Sequence, residues 1–91
     1  MSDDHGTFSI RVVDGDGDPV TSASVCCSYG IMSGAQTEYT DSDGWTHFPI
    51  IMEIMRRGVP IKITQITVNG DVVRDDDFYP EDGDTFSFVQ P

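Results

Sequence analysis

The sequence predicts an all-β fold: an antiparallel β-sandwich of about seven strands in a single domain spanning residues 1–91. Short stretches in which apolar and polar residues alternate recur along the chain, which is the pattern of half-buried strands. Asp/Gly-rich turns separate these stretches at the spacing typical of sandwiches of short strands. With 37% hydrophobic and 10% aromatic residues, the 91-residue chain can form one modest core.

The first two strands are predicted over residues 7–13 and 23–29, with an Asp/Gly-rich turn over 14–19 between them. Alternation places the apolar side chains of both strands on their inner faces. The predicted inward residues are Phe8, Ile10, Val12, Ala23, Val25, Cys27 and Tyr29. The adjacent Cys26 and Cys27 then point to opposite faces, so we expect one buried thiol, one outward thiol and no disulfide.

A third strand over 36–40 is polar and is therefore expected at a sheet edge. A fourth strand follows over 45–50, after the turn at 41–44. In that strand Phe48 and Ile50 are expected to face the core, and alternate residues then face outward.

In the second half of the chain the alternating strand pattern is first interrupted. Residues 51–57 break the alternation, and apolar residues recur there at helical spacing, which favours a short helical turn or an irregular crossover. A fifth strand over 61–68 follows, and the parity of its apolar residues changes midway, which indicates a bulge near Thr64–Gln65. Asn69–Gly70 then predicts a hairpin turn.

The last two strands are separated by an acidic crossing segment. Val72 and Val73 begin the sixth strand, and the turn at 81–84 leads into the seventh, over 85–89, with Phe86 and Phe88 inward. At the other end of the chain, residues 1–6 are expected to be flexible.

Several motifs between Phe8 and Phe48 occur in a recognisable order: Phe-x-Ile-x-Val-x-Asp, Asp-Gly-Asp-Pro-Val, Ala-x-Val, and a Thr-Asp-x-x-Gly turn that begins at Thr40. With Gly83-Asp84 before the last strand, this order resembles the carboxypeptidase-regulatory-like and Cna B-type domains. The resemblance implies an Ig-like, prealbumin-like (transthyretin-like) sandwich that closes with a hairpin, and it specifies fold far better than function.

The chemistry known in that family is not expected here. The isopeptide bond of Cna B-type domains joins a lysine and an asparagine across the sandwich, but Lys62 and Asn69 lie in one strand-and-turn segment. The branch that hydrolyses 5-hydroxyisourate ends in tyrosine-arginine-glycine-serine, whereas this chain ends Ser87-Phe-Val-Gln-Pro. The sequence therefore predicts no enzyme.

The net charge of −11 narrows the range of partners. It disfavours nucleic acids and anionic membranes, since both attract basic proteins. The acidity is either a solubility shell or a site for divalent cations or a basic partner. No apolar stretch approaches the roughly 20 residues of a membrane span, and no signal peptide is recognised. The expected location is cytoplasmic, or extracellular if the chain is excised from a longer protein, or in a virion.

One metal site is a candidate. Asp14, Asp16 and Asp18 have the spacing of the first calcium ligands of an EF-hand loop, but the later positions of that loop do not match. The aspartates form either an ordinary turn or a weak calcium site, helped by Asp41 or Asp43 if the two turns meet. No other cofactor is expected.

A binding surface is the remaining candidate. Trp45 and His47 are predicted to point outward from the fourth strand, with Tyr39 on the strand before it, and exposed aromatic residues anchor protein partners or stack on sugars. Alternatively, Trp45 packs under residues 51–55. We therefore expect a non-enzymatic binding or structural module that presents a surface to a protein partner or self-associates. A carbohydrate-binding module and a calcium-stabilised accessory domain are the alternatives.

Overall fold

The computed structural model describes residues 6–30, 34–50 and 61–90, and these residues form seven β-strands. The strands are Thr7–Val13 (β1), Ser24–Tyr29 (β2), Ala35–Tyr39 (β3), Trp45–Pro49 (β4), Ile63–Val68 (β5), Asp71–Arg74 (β6) and Thr85–Val89 (β7). Every regular element in these ranges is a strand, which confirms the predicted all-β class.

The strands are arranged in two sheets. One has three strands in the order β4-β1-β7, and the other has four in the order β3-β2-β5-β6. Each sheet turns its apolar face toward the other, so the predicted β-sandwich is confirmed. The polar third strand lies at an edge, as predicted, because β2 is its one neighbour among the described strands.

The last strand departs from the antiparallel expectation. β7 lies parallel to β1, with Ser9 opposite Thr85 and Val13 opposite Val89, while the other pairings are antiparallel. The chain leaves β6 at the end of the sandwich where β1 begins, and the turn before β7 lies there, with the Gly83 amide donating to the Thr7 carbonyl. β6 and β7 therefore lie in different sheets and do not form the closing hairpin that the family resemblance implies.

The core confirms the predicted inward faces. The rings of Phe8 and Phe48 stack with their centroids 5.5 Å apart, and Phe86 meets Phe8 edge-on at 6.1 Å. Burying one such side chain stabilises the fold by about 1.5–3 kcal/mol. The buried apolar residues are Phe8, Ile10, Val12, Ala23, Val25, Cys27, Tyr29, Phe48, Ile50, Ile63, Ile66 and Val68.

The bulge predicted in the fifth strand is present. Along β2, Ser28 pairs with Gln65 but the next residue, Tyr29, pairs with Ile63, so Thr64 is the extra residue on β5. The insertion lets Ile63 and Ile66 both face the core although they are an odd number of residues apart.

The predicted Asn69–Gly70 hairpin joins β5 to β6. Both residues have positive φ, 51° and 88°, as a type I′ turn requires. The Asn69 side-chain oxygen accepts the Ser24 amide at 2.9 Å, and the Asn69 amide donates to the Ser24 carbonyl at 2.7 Å. The hairpin is thereby fastened to the start of β2.

Arg74 covers the side of the sandwich between β6 and β7. Its guanidinium carbon lies 3.8 Å from the ring centroid of Phe78 and 5.4 Å from that of Phe86. Asp76 orients it through a 2.7 Å ion pair, and the hydrogen bond from Arg74 lowers the pKa of the Asp76 carboxyl. The arginine thus covers aromatic surface while its charge stays paired.

Two predictions fall partly or wholly on residues that the structure does not describe. The helical turn near 51–57 lies outside the described residues, as do residues 1–5 of the segment expected to be flexible. Gly6 is anchored, because its carbonyl accepts the Ile50 amide at 3.0 Å. Within the described ranges, no helix is long and apolar enough to cross a membrane.

Candidate binding surface

The outer face of the three-stranded sheet carries Trp45 and His47. Antiparallel pairing sets Arg11 opposite Trp45 and Ser9 opposite His47. Because residues directly opposite each other in a sheet point to the same side, these four side chains share the outer face. The predicted outward orientation of Trp45 and His47 is confirmed by their burial pattern, since the alternate residues of β4 are buried.

Arg11 and Trp45 form the central pair of this face. The guanidinium carbon of Arg11 lies 6.0 Å from the indole centroid, at the outer limit of a cation–π contact. Its Nε donates a long 3.4 Å hydrogen bond to the carbonyl of Asp43. Trp45 is half-buried, and the alternative in which it packs under residues 51–55 lies outside the described residues.

His47 lies beside that pair and is exposed. Its Nδ1 and the Ser9 hydroxyl oxygen are 2.7 Å apart, a hydrogen bond in which the tautomer of the ring decides which group donates. The contact fixes the ring against the sheet.

Acidic residues border this face but lie outside its described strands, and Asp41, in the turn before β4, interacts electrostatically with His47. No acidic residue lies on β1, β4 or β7. The strand directions place the described acidic residues at the two ends of the sandwich, apart from Glu38 on β3. One end has Asp14, Asp16, Asp18, Asp41, Asp43 and Asp71, and the other has Asp75, Asp76, Asp77, Glu81, Asp82 and Asp84.

Tyr39 does not join Trp45 and His47. Tyr39 lies on β3, at the edge of the four-stranded sheet, where it pairs with Ser24 of β2. Its exposed fraction is 66%. Its side chain therefore belongs to the opposite outer face of the sandwich. The three residues predicted as one aromatic surface are divided between two.

The Asp14–Asp18 turn uses its first carboxylate internally. Asp14 Oδ1 accepts the amides of Asp16 and Asp18 at 2.9 and 3.0 Å, which is the hydrogen bonding of an ordinary Asx turn. Across the described ranges, no three His, Cys, Asp or Glu side chains are placed to hold a metal ion. The next turn is attached to β1, because the Gly44 carbonyl accepts the Val12 amide at 2.8 Å.

The two thiols face opposite ways, as predicted. Cys27 is buried in the core, and burial, followed by the neighbouring Cys26, raises its pKa to about 12. Cys26 lies on the outer side of the four-stranded sheet, whereas His47 lies on the other outer face. The fold therefore does not bring a cysteine and this histidine together as a nucleophile and base.

The chain matches no protein-family model, and comparison with curated proteins and with solved structures found no significant match. The resemblance to carboxypeptidase-regulatory-like and Cna B-type domains therefore stays a prediction.

Arg11 is the surface residue that the sequence did not single out. Its alternation with Ile10 and Val12 indicates only an outward side chain, and its pairing with Trp45 depends on long-range register.

Proposed function

We propose that the chain is a non-enzymatic binding or structural module that presents the outer face of its three-stranded sheet to a protein partner. The observation that carries the proposal is the placement of Arg11, Trp45 and His47 together on a sheet whose three strands carry no acidic residue, in a chain whose net charge is −11.

The composition of this face resembles that of protein interfaces. Their centres are enriched in aromatic residues and Arg and depleted of Asp and Glu, because unpaired carboxylates are costly to desolvate. Trp and Arg are also the residues that most often dominate binding energy. The buried inner sides of β1 and β4 hold the face rigid, so little ordering is needed when a partner docks.

The surroundings of the reactive groups support a non-enzymatic role. Cys27 is buried with a raised pKa, and a thiol rather than a thiolate is a poor nucleophile. Cys26 and His47 lie on opposite outer faces of the sandwich. The Oδ1 of Asp14 accepts two amides of its own turn.

Carbohydrate binding through Trp45 is the second candidate, because the indole lies on the outer side of β4. Arg11 beside the indole attracts a carboxylate of a protein partner more strongly than the neutral hydroxyls of a sugar. The contact therefore favours a protein partner.

Affinity capture with matched variants tests the proposal. The wild type, the face variant R11E/W45A and the control variant Tyr39→Ala are immobilised and exposed to an extract of the source cells. A genuine partner is retained by the wild type and by Tyr39→Ala but lost with R11E/W45A. A glycan array probed with the same three proteins tests the sugar alternative. Equal retention of every protein on all three surfaces would contradict the proposed face.

A further inference from the structure

Three of the four edge strands in the described part of the chain carry a feature that discourages a further strand from pairing. β3 turns Glu38 toward the core side, opposite Val25 of β2, and β4 ends in Pro49. β6 has four residues, begins with Asp71 and has a shift in its register with β5. Inward charges, proline, short length and bulges are the means by which natural sheets protect their edges.

β7 is the fourth edge strand and has none of these features. Its sequence, Thr-Phe-Ser-Phe-Val, contains no charged residue and no proline, and its register with β1 is regular over all five pairs. Among the described strands β1 is its one neighbour. The open edge of β7 can therefore accept a further strand.

The backbone groups along this edge are directed away from β1. The Gln90 amide, immediately after β7, donates to the Val13 carbonyl of β1 at 2.7 Å. Backbone groups alternate in direction along a strand, so the even-numbered residues of this segment bond to β1. The residues whose amides and carbonyls point to the open edge, where no described strand pairs with them, are Thr85, Ser87 and Val89.

The core is also incompletely covered at this edge. Phe86 and Phe88 face inward and pack against the buried residues, yet both are only half-buried. Phe8 and Phe48, on the other two strands of this sheet, are fully buried. A strand added beside β7 covers Phe86 and Phe88 with its own inward side chains, which removes apolar surface from water.

Carboxylates lie at both ends of β7. Asp84 comes immediately before its first residue, in a turn that also contains Glu81 and Asp82. At the other end, the last residue of β7 lies opposite the last residue of β1, and Asp14 follows there. An added strand with basic residues at both ends therefore meets opposite charge.

The same charges disfavour a second copy of this chain as the added strand. If β7 of one copy paired with β7 of another, in either direction, the acidic ends of the two strands would lie side by side. Arg74, the described cation that packs on Phe86, is already paired with Asp76 at 2.7 Å. The complementary occupant is therefore a strand with basic ends.

We propose that the open edge of β7 binds an extended segment of another protein by strand addition, with apolar residues at alternate positions and Lys or Arg at both ends. The five residues of β7 span about 17 Å, so basic residues about six positions apart reach both acidic ends. Backbone hydrogen bonds supply affinity in this mode of binding, and the alternate side chains supply specificity. The proposal does not rest on the outer face that carries Arg11, Trp45 and His47.

A synthetic peptide tests the edge directly. It alternates valine and threonine between terminal lysines, and fluorescence anisotropy of a label on the peptide measures its binding to the full chain. We expect saturable binding below about 1 mM protein, weakened at least about tenfold when glutamate replaces the lysines. N-methylation of one alternate set of peptide amides should abolish binding, and methylation of the other set should not, because one side of the added strand pairs with β7.

Ser87→Pro is the matching change in the protein. The Ser87 amide points to the open edge, so proline removes it without breaking the ladder to β1, and its ring obstructs an added strand. We expect the peptide to bind at least about tenfold more weakly. Ser87→Ala keeps the amide and should bind as the wild type does.

Hydrogen exchange reports the position of the peptide. We expect the amides of Thr85, Ser87 and Val89 to exchange rapidly in the free chain and to become protected when the peptide binds. Protection in the free chain would overturn the proposal, because the edge would then already be occupied. Protection that rises with protein concentration would identify the occupant as a second copy.

The remaining outcomes also decide. Binding of the lysine peptide that Ser87→Pro weakens and Ser87→Ala preserves supports the proposal. Absence of binding up to about 1 mM overturns it, as does binding that survives Ser87→Pro and both methylations, since charge alone would then hold the peptide. If Ser87→Pro does not fold, the methylated peptides with the wild type decide. R11E/W45A should retain the peptide, so the proposals for the edge and the outer face fail independently.

Discussion

The turns at residues 14–18 and 41–45 have the same internal hydrogen bonds and lie in different surroundings. In each, the Oδ1 of the first residue, Asp14 or Asp41, accepts the amides of the third and fifth residues at 2.9 and 3.0 Å. The carbonyl of the first residue also accepts the amide of the fourth, a glycine, at 3.0 Å. The repeated Asp-x-Asp-Gly-x pattern therefore produces one local conformation twice.

The surroundings of the two glycines differ. A Cβ added to Gly17 would meet nothing within 4 Å, whereas one added to Gly44 would lie 2.6 Å from the carbonyl oxygen of Val12. Both residues have positive φ, 87° and 81°. The local sequence thus decides the shape of each turn, and packing against β1 decides which of them tolerates change.

Replacing the two glycines by alanine gives the largest contrast. Gly44→Ala adds a steric clash to the strain of positive φ, and we expect it to lower the free energy of unfolding by about 3 kcal/mol or more. Gly17→Ala bears only the strain, about 1 kcal/mol. Urea unfolding followed by Trp45 fluorescence measures both. Equal losses would mean that Gly44 is not packed as described.

The second turn is also anchored by the residue before it. The buried Thr40 hydroxyl donates to the Val20 carbonyl and accepts the Ala23 amide at 2.9 Å. Thr40→Val leaves the amide and carbonyl without this partner, and we expect a loss of about 2 kcal/mol. The exposed Thr37→Val is the matched control, expected to change stability by less than about 0.5 kcal/mol. If Thr40→Val left the free energy of unfolding unchanged, the hydroxyl would not anchor the turn.

The hydrogen bonds of the second turn also make its contribution to stability depend on pH. The amides of Trp45 and then Asp43 lower the pKa of Asp41, so its carboxylate form is favoured in the folded chain. Its contribution to stability is complete above the unfolded-state pKa of about 3.9 and is lost as the pH falls through the lower folded-state value. Asp41→Asn should therefore flatten the decline of stability below about pH 4.

Chemical denaturation from pH 6 to pH 2 checks this expectation, a range that spans the ordinary Asp pKa of about 3.9. Ser42→Ala, which changes no titrating group in the same turn, should keep the wild-type slope. A wild-type slope in Asp41→Asn as well would show that the turn hydrogen bonds do not stabilise the carboxylate.

Calcium should have the smallest effect. Asp14 Oδ1 already accepts two amides, so we expect millimolar Ca²⁺ to raise the midpoint of thermal unfolding no more than NaCl of equal ionic strength does. Scans in Ca²⁺, EDTA and NaCl measure the difference. A rise specific to Ca²⁺ that EDTA reverses would make Asp14, Asp16 and Asp18 a metal site.

Much of the fold was predictable because its signals are local. Alternation in β1 identified Phe8, Ile10 and Val12 as buried, the parity change in β5 indicated its bulge, and Asn69–Gly70 indicated its hairpin. The parallel placement of β7 beside β1 was not predictable, because an alternating strand has the same pattern whichever neighbour it pairs with.

The candidate surface was predictable only in part for the same reason. Alternation showed that Trp45, His47 and Tyr39 point outward, but not to which sheet each strand belongs. β3 and β4 follow each other in the chain and lie in different sheets, so Tyr39 is separated from the other two. Arg11 could be assigned to the surface only once the structure showed that it pairs with Trp45.

Trp45 is the only tryptophan in the chain, so its emission reports on the proposed partner-binding face alone. The most direct test is a fluorescence titration of the wild type with the protein that it captures. We predict that Trp45 emission changes and saturates with the partner, equally in Tyr39→Ala, and that Arg11→Glu weakens the binding. The proposed partner-binding face would be contradicted if binding, measured by an independent method, saturated without any change in Trp45 emission and was not weakened by Arg11→Glu.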